Sequence, residues 1–263
     1  MEQKLLQRKV LITGGGSGIG RGIAEAFRQA GMTVAILGRS SKVRETAAAL
    51  GKGVFPYEAD VRSATEVERA MKQMEREIGP ADILVNNAGV SRLCRFMDLT
   101  EDVLAFHYGT NVLGAVHCAR AVLPHMMKQR WGRIINMSSV TGPFVADPGD
   151  SAYALTKAAL IGLTKSLAVE LAPYAITVNA ICPGYICSDM IRHTADRSRP
   201  DQSAEVLAAI AAGVPLKRLG TPQEVGQLAV YLAGAAYMTG QALILDGGNS
   251  IPETTVMGLR SQE

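Results

Sequence analysis

Short apolar runs alternate along this chain with longer stretches of helical period. Val10–Thr13, Thr33–Leu37, Val54–Tyr57, Ile83–Asn86, Arg133–Met137, Ile176–Ala180 and Ala242–Leu245 read as seven strands. They are apolar nearly throughout rather than alternating, which marks strands buried on both faces. Ile19–Ala30 carries apolar residues at Ile19, Ile23, Ala26, Phe27 and Ala30, one face of a helix stopped by Gly31. Lys42–Leu50 predicts a polar helix and Ala64–Ile78 a long amphipathic one. Strands separated by helices, joined by right-handed crossovers, predict an α/β fold: a doubly wound parallel sheet with helices on both faces. At 263 residues the chain is expected to form one domain, 1–263.

Two helical stretches, Asn111–Lys128 and Ala152–Ala172, are apolar almost all round. The sheet covers one face of each; a partner subunit is the simplest cover for the other, so a homotetramer or dimer through these helices is expected. The segment at about 188–220 is polar, then alanine-rich, then broken at Gly213, Pro215 and Gly220. It follows the sixth strand at the carboxyl edge of the sheet, where open α/β folds place ligands, and reads as a substrate-covering flap.

Composition narrows the partners. Net charge is +3, too mild and dispersed for a nucleic-acid surface. The one basic cluster, Arg192, His193, Arg197 and Arg199, is expected to be a solvated loop face rather than an anion site. Cys94, Cys118, Cys182 and Cys187 form no Cys-x-x-Cys pair and have no metal-ligand spacing with the 4 histidines, so no metal is expected and the thiols are read as free. No stretch has the length of a signal peptide or a membrane span, which points to a cytoplasmic protein.

The chemistry begins with Thr13-Gly-Gly-Gly-Ser-Gly-Ile-Gly20, a glycine-rich turn between the first strand and the first helix. Glycines let backbone approach a pyrophosphate, and a helix N-terminus offers it unpaired N–H groups. Gly14, Gly16, Ser17, Gly18, Ile19 and Gly20 are therefore expected to bind a dinucleotide. The second strand ends Leu37-Gly38-Arg39-Ser40, with no carboxylate for a ribose 2′-OH. Arg39 and Ser40 suit a 2′-phosphate, which favours NADP(H) over NAD(H). Tyr153 and Lys157 stand four residues apart on one helical face, and Ser139 precedes them. A fixed cation lowers a phenol's pKa, and a serine hydroxyl can hold a substrate oxygen. With 7 tyrosines in the chain, such a pair alone arises readily by chance.

Taken together, Thr13–Gly20, Asp60-Val61, Asn86-Asn-Ala-Gly89, Asn111, Ser138-Ser139, Tyr153-x-x-x-Lys157 and Pro183-Gly184 resemble the short-chain dehydrogenase/reductase family, in its order, over residues 8–248. The resemblance implies a Rossmann fold and an NAD(P)-dependent oxidoreductase acting on a carbonyl or secondary alcohol. A ketone or 3-oxoacyl reductase, an NAD(H)-dependent sugar or polyol dehydrogenase and, remotely, a non-catalytic dinucleotide sensor are the alternatives. It implies catalytic roles for Asn111, Ser139, Tyr153 and Lys157: Tyr153 exchanges the proton, Lys157 lowers its pKa and binds the nicotinamide ribose, Ser139 polarises the substrate oxygen, and Asn111 holds a water between Lys157 and solvent. Asp60 and Val61 would flank the adenine, Asn87, Ala88 and Gly89 the adenosine ribose, and Pro183, Gly184, Ile186 and Ser188 the nicotinamide end. Asn86 is read as a brace of the sheet. From loop position, Arg92, Leu93, Cys94, Phe144, Tyr185, Met190 and His193 are substrate-contact candidates. The turn Asp147-Pro-Gly-Asp150 is read as solvated.

Overall fold

A computed structural model describes residues 6–251. The ends of the expected domain, 1–5 and 252–263, lie outside them. Seven strands form one parallel sheet: β1 (Lys9–Thr13), β2 (Thr33–Gly38), β3 (Val54–Glu58), β4 (Ile83–Asn86), β5 (Gly132–Met137), β6 (Ile176–Pro183) and β7 (Ala242–Leu245). Their order in space is β3-β2-β1-β4-β5-β6-β7. The helices are α1 (Gly18–Gln29), α2 (Lys42–Leu50), α3 (Ala64–Glu77), α4 (Glu101–Tyr108), α5 (Gly114–Gln129), α6 (Ser151–Leu171), α7 (Asp189–Ser198), α8 (Ser203–Gly213) and α9 (Pro222–Gly234).

Alternation along the strands builds two cores. Val10, Ile12, Val34, Ile36, Ile83 and Val85 point to the layer of α1, α2 and α9. Leu11, Ala35, Leu37, Leu84 and Ile134 point to the opposite layer, with α3, α5 and α6. Both faces are covered, which is why the strands read as continuous apolar runs. The α1–α9 contact is tight, because a side chain on Gly226 would stand 2.7 Å from both Ala26 Cβ and Gly22 O. The strand order reverses between β1 and β4, which pair at Ile12↔Val85, and the loops leaving their carboxyl ends bound a crevice there.

Three elements differ from expectation. β6 runs on to Pro183, three residues beyond the predicted end. The helix predicted to start at Asn111 starts a full segment earlier as α4, and a π turn at Gly109–Leu113 joins it to α5. Helix α9 was not predicted, although a capping box of Thr221 and Glu224 with Pro222 in the first turn marks its start. The segment at 188–220 is a pair of helices, α7 and α8, folded over the carboxyl edge of the sheet.

Candidate active site

The glycine-rich turn is pinned from two sides. Gly14 N and Gly15 N donate to Leu37 O at 2.7 and 3.3 Å, and Thr46 Oγ1 of α2 donates to Gly16 O at 2.8 Å. Gly14 and Gly18 have φ of 65° and 49°, a region that favours glycine. Gly20 sits against Gly14 O, where a Cβ would collide at 2.2 Å. Ser17 precedes α1 but makes no side-chain capping bond, and the first turn of α1 holds no acidic residue. The N–H groups at that helix end therefore remain available to an anion.

A cleft of about 210 Å³ opens above this turn, lined by Gly14, Ser17, Gly18, Ile19 and Gly20 from one side, Asn87, Ala88 and Gly89 from another, and Tyr153, Lys157, Pro183 and Ser188. Met137, Ser138, Asp189 and Met190 complete it. The Asn87–Gly89 loop is fixed by Thr13, whose hydroxyl accepts from Asn87 N and Ala88 N at 3.0 and 2.9 Å. Sequence reading gave Thr13 no such role; its position at the end of β1, facing β4, was the available signal. Asn86 is buried and donates to Asn136 Oδ1 at 2.9 Å and Ala115 O at 3.3 Å, a brace as expected. A pyrophosphate-bearing dinucleotide fits this donor set: an uncapped helix end over glycines that leave the backbone bare.

Arg39, Ser40, Asp60 and Val61 lie beyond the cleft lining, past the carboxyl ends of β2 and β3. Arg39 and Ser40 are exposed, and Val61 is buried. Arg62 grips Asp60 with both Nε and Nη2, at 2.9 and 2.6 Å to Oδ2, which holds that carboxyl below its usual range. Arg44 pairs with Glu58 at 2.8 Å. Each carboxylate at these strand ends thus has an arginine, while Arg39 has no ion pair among the described residues.

Tyr153, Thr156 and Lys157 share one face of α6. Lys157 is 5% exposed, its Nζ donates to Met137 O at 2.7 Å and lies 5.4 Å from the centre of the Tyr153 ring. Burial pulls its pKa down to about 8. Tyr153 is half-buried beside Ser139, whose Oγ accepts from Thr141 N at 3.1 Å. The expected depression of the phenol is not what these groups produce. Burial pushes Tyr153 up to about 12; Ser139 opposes this and the charge of Asp150 adds to it.

Asn111, inside the π turn, commits both amide hydrogens, to Val90 O at 3.0 Å and Thr156 Oγ1 at 2.9 Å, and its Oδ1 accepts from Val90 N at 2.8 Å. Its side chain ties α6 to the loop after β4. A Cβ placed on Gly89 would stand 3.5 Å from Lys157 Nζ and 3.6 Å from Asn111 Oδ1, so the three residues converge.

A second, larger cavity of about 390 Å³ adjoins the cleft. Tyr153, Ser138, Pro183, Ser188, Ile19 and Met190 line both. Ser139, Gly184 and Ile186 line only the larger one, under α7 and α8, whose Ile191, Thr194 and Ile210 close its far side. Of the substrate-contact candidates, Leu93, Tyr185 and Met190 reach it. Arg92, Cys94, Phe144 and His193 do not: Arg92 stacks on the Phe106 ring at 4.9 Å, and Cys94 N donates to Gly149 O at 2.9 Å. The Asp147–Asp150 turn, read as solvated, supplies two carboxylates to the cavity wall. Among the described residues no cluster has the makings of a metal site, and no helix is long and apolar enough to cross a membrane.

With this fold and this pairing of clefts, comparison with known proteins places the chain in the short-chain dehydrogenase/reductase family of NAD(P)-dependent oxidoreductases, which act on CH–OH and carbonyl groups. Residues 14–250 match a family model described as enoyl-(acyl carrier protein) reductase. The chain is 46% identical to oxidoreductase UcpA of Salmonella typhimurium over 261 residues, 97% of this chain and 99% of that protein. It is 38% identical to the 3-oxoacyl-[acyl-carrier-protein] reductase FabG of Staphylococcus aureus, over 92% of this chain and 98% of that one. Among solved structures, Thermoplasma acidophilum aldohexose dehydrogenase (AldT) in ligand-free form superposes with a TM-score of 0.86 at 31% identity, covering 96% and 97% of the two chains. An actinorhodin polyketide ketoreductase with NADPH gives 0.88 at 32% identity, covering 94% and 99%.

Proposed function

We propose that this protein is an NADP(H)-dependent reductase of a carbonyl compound, reversible towards the secondary alcohol, working through Asn111, Ser139, Tyr153 and Lys157. The observation that carries this reading is that Tyr153 lines both cavities, with Ser139 beside it on the wall of the larger one. A group at that junction can exchange a proton with a substrate oxygen while the substrate carbon faces the coenzyme cleft. The nicotinamide supplies or accepts the hydride.

The chain's own residues do the rest. The 14–20 turn holds the pyrophosphate at the N-terminus of α1, Asn87–Gly89 line the adenosine ribose, and Asp60 and Val61 flank the adenine. Pro183, Gly184, Ile186 and Ser188 shape the nicotinamide end. Arg39 and Ser40 take a 2′-phosphate: Glu58 and Asp60 nearby already have arginine partners, and Arg39 is free to give charge-assisted bonds. Ser139 orients and polarises the substrate oxygen. Tyr153, with a pKa of about 12, is protonated at neutral pH, the form that donates to a carbonyl. Lys157 adds positive charge beside the phenol, and Asn111 fixes the α6 turn that carries both. Helices α7 and α8 cover the substrate, and the subunits assemble as a homotetramer or dimer through α5 and α6. The four free cysteines suit a cytoplasmic setting.

The test follows carbonyl reduction at the NADPH absorbance band. Tyr153→Phe is expected to lower kcat by at least a hundredfold, the span of general acid catalysis. Reduction at an undiminished rate would overturn the catalytic assignment. Arg39→Ala is expected to weaken NADPH roughly tenfold or more, on the scale of one lost charge-assisted bond, and to leave NADH nearly unchanged. Equal loss for both coenzymes would remove the 2′-phosphate reading.

A further inference from the structure

The walls of the larger cavity carry two formal charges, both negative: Asp147 and Asp150. The rest is apolar or neutral. Asp150 sits at the capping position of α6, where an aspartate ordinarily accepts from the first-turn N–H groups, yet its carboxylate makes no capping bond. It is half-buried and faces the cavity three residues before Tyr153, close enough for its charge to bear on that phenol. Asp147 accepts a hydrogen bond from Tyr185 Oη at 3.4 Å, across the same cavity.

No cation answers these carboxylates among the described residues. Neither forms an ion pair. The His107 ring is near Asp150, but Arg92 N donates to its Nε2 at 3.0 Å and its Nδ1 meets Val103 O at 2.8 Å, so backbone occupies both nitrogens. Arg192 of α7 turns away, its Nη2 3.6 Å from Cys187 Sγ, on the wall of a separate surface cleft. An anionic substrate entering this cavity would meet repulsion without a counter-charge, whereas a hydroxyl or ammonium would meet an acceptor left unused by the fold.

We propose that the cavity selects carbonyl or secondary-alcohol substrates bearing a hydrogen-bond donor near the reacting carbon and disfavours anionic ones, with Asp150 as the specificity-determining residue and Asp147, held by Tyr185, as its partner. This rests on Tyr153 as the proton-exchanging group of the proposed function. It separates this chain from a reductase whose substrate presents a carboxylate or phosphate at this depth.

The experiment uses four small ketones, butanone, hydroxyacetone, aminoacetone and pyruvate, with NADPH at neutral pH, on the native protein, Asp150→Asn and Asp147→Asn. The ratio of kcat/KM between variant and native protein cancels each ketone's intrinsic reactivity. Asp150→Asn is expected to lower it about tenfold for hydroxyacetone and aminoacetone, one charge-assisted hydrogen bond, and to raise it by a similar factor for pyruvate. Asp147→Asn is expected to give the same pattern at smaller amplitude. A response of aminoacetone alone would identify the donor as a cation; a response of both, as any N–H or O–H. Four ketones moving together, or an Asp150→Asn ratio that does not rise for pyruvate, would overturn the proposal. Protection against thermal unfolding by the same ketones, with NADPH present, gives a readout without turnover. If nothing is reduced but donor-bearing ketones protect better than pyruvate, and Asp150→Asn erases the difference, the reductase reading fails and the cavity reading stands. Stronger protection by pyruvate overturns the cavity reading whatever the turnover.

Discussion

Lys157 is an ammonium held where water scarcely reaches, with one carbonyl, Met137 O, as its hydrogen-bond acceptor. The fold loses stability by keeping that charge buried. Its pKa falls from 10.5 to about 8, so between those values the unfolded chain binds more protons than the folded one. Stability from this group therefore rises with pH through that window, and below about pH 8 the full cost is present, roughly 3 kcal/mol. Lys157→Met keeps the volume and removes the charge. It is expected to abolish reduction yet raise the urea midpoint near pH 7, with the gain over the native protein shrinking towards pH 10. A gap that stays constant with pH would show that the ammonium is not the destabilising group. Tyr153 shows the limit of sequence at this scale. The four-residue spacing correctly puts a phenol and an ammonium on one helix face, but spacing carries no information about burial. Bringing a phenol from about 12 to neutrality takes roughly 7 kcal/mol, against roughly 4 for an ordinary tyrosine. One ammonium at about 4 Å supplies about 4 kcal/mol at the effective dielectric of a protein surface. Burial therefore favours the neutral phenol here, a preference that spacing alone does not reveal.

Elements were legible where one physical rule decided them. The seven strands and helices α1 to α3 follow from apolar periodicity, because each buries one face or two against a single sheet. The helix through Asn111 was legible but its start in α4 was not, because a π turn inserts one residue into the helical repeat and periodicity averages over it. That extra residue has a structural role. It sits where Asn111 commits both amide hydrogens and Oδ1 to Val90 and Thr156, so the irregular backbone locks α6 and the loop after β4 together. Helix α9 was missed for another reason: Gly226 and Gly234 weaken its propensity, and its place depends on Gly22 of α1 leaving room for Pro222 and on Gly226 fitting against Ala26. Such a contact is tertiary, between residues two hundred positions apart. The Asp147–Asp150 turn is solvated at Asp147 and Pro148 as read, but half-buries Asp150, and that it also lines a cavity depends on tertiary packing that turn residues do not encode.

At the scale of the molecule, the outer face of α6 has no cover among the described residues. Leu155 is 55% exposed and Val169 80%, and between them the space beyond Gly162 is open. These positions repeat at seven-residue steps, so they form one stripe along the helix, with small residues at its middle where another helix can approach closely. The inner positions Ala152, Thr156, Leu160, Thr164, Ala168 and Leu171 are buried, so the apolar character noted all round this helix divides into a core face and an unpaired one. A second apolar region lies at the β7 edge of the sheet, where Tyr231, Tyr237 and Ile244 are exposed and β7 pairs with β6 alone among the described strands. Two separate apolar patches would give a closed tetramer were each to pair with its own copy across a two-fold axis. The native protein is therefore expected to sediment as a tetramer. Placing arginines on the α6 stripe, Leu155→Arg with Val169→Arg, buries charge in that interface alone and is expected to halve the mass to a dimer held at the β7 end. A native protein sedimenting as one chain, or a double variant of unchanged mass, would show that the stripe is a free surface.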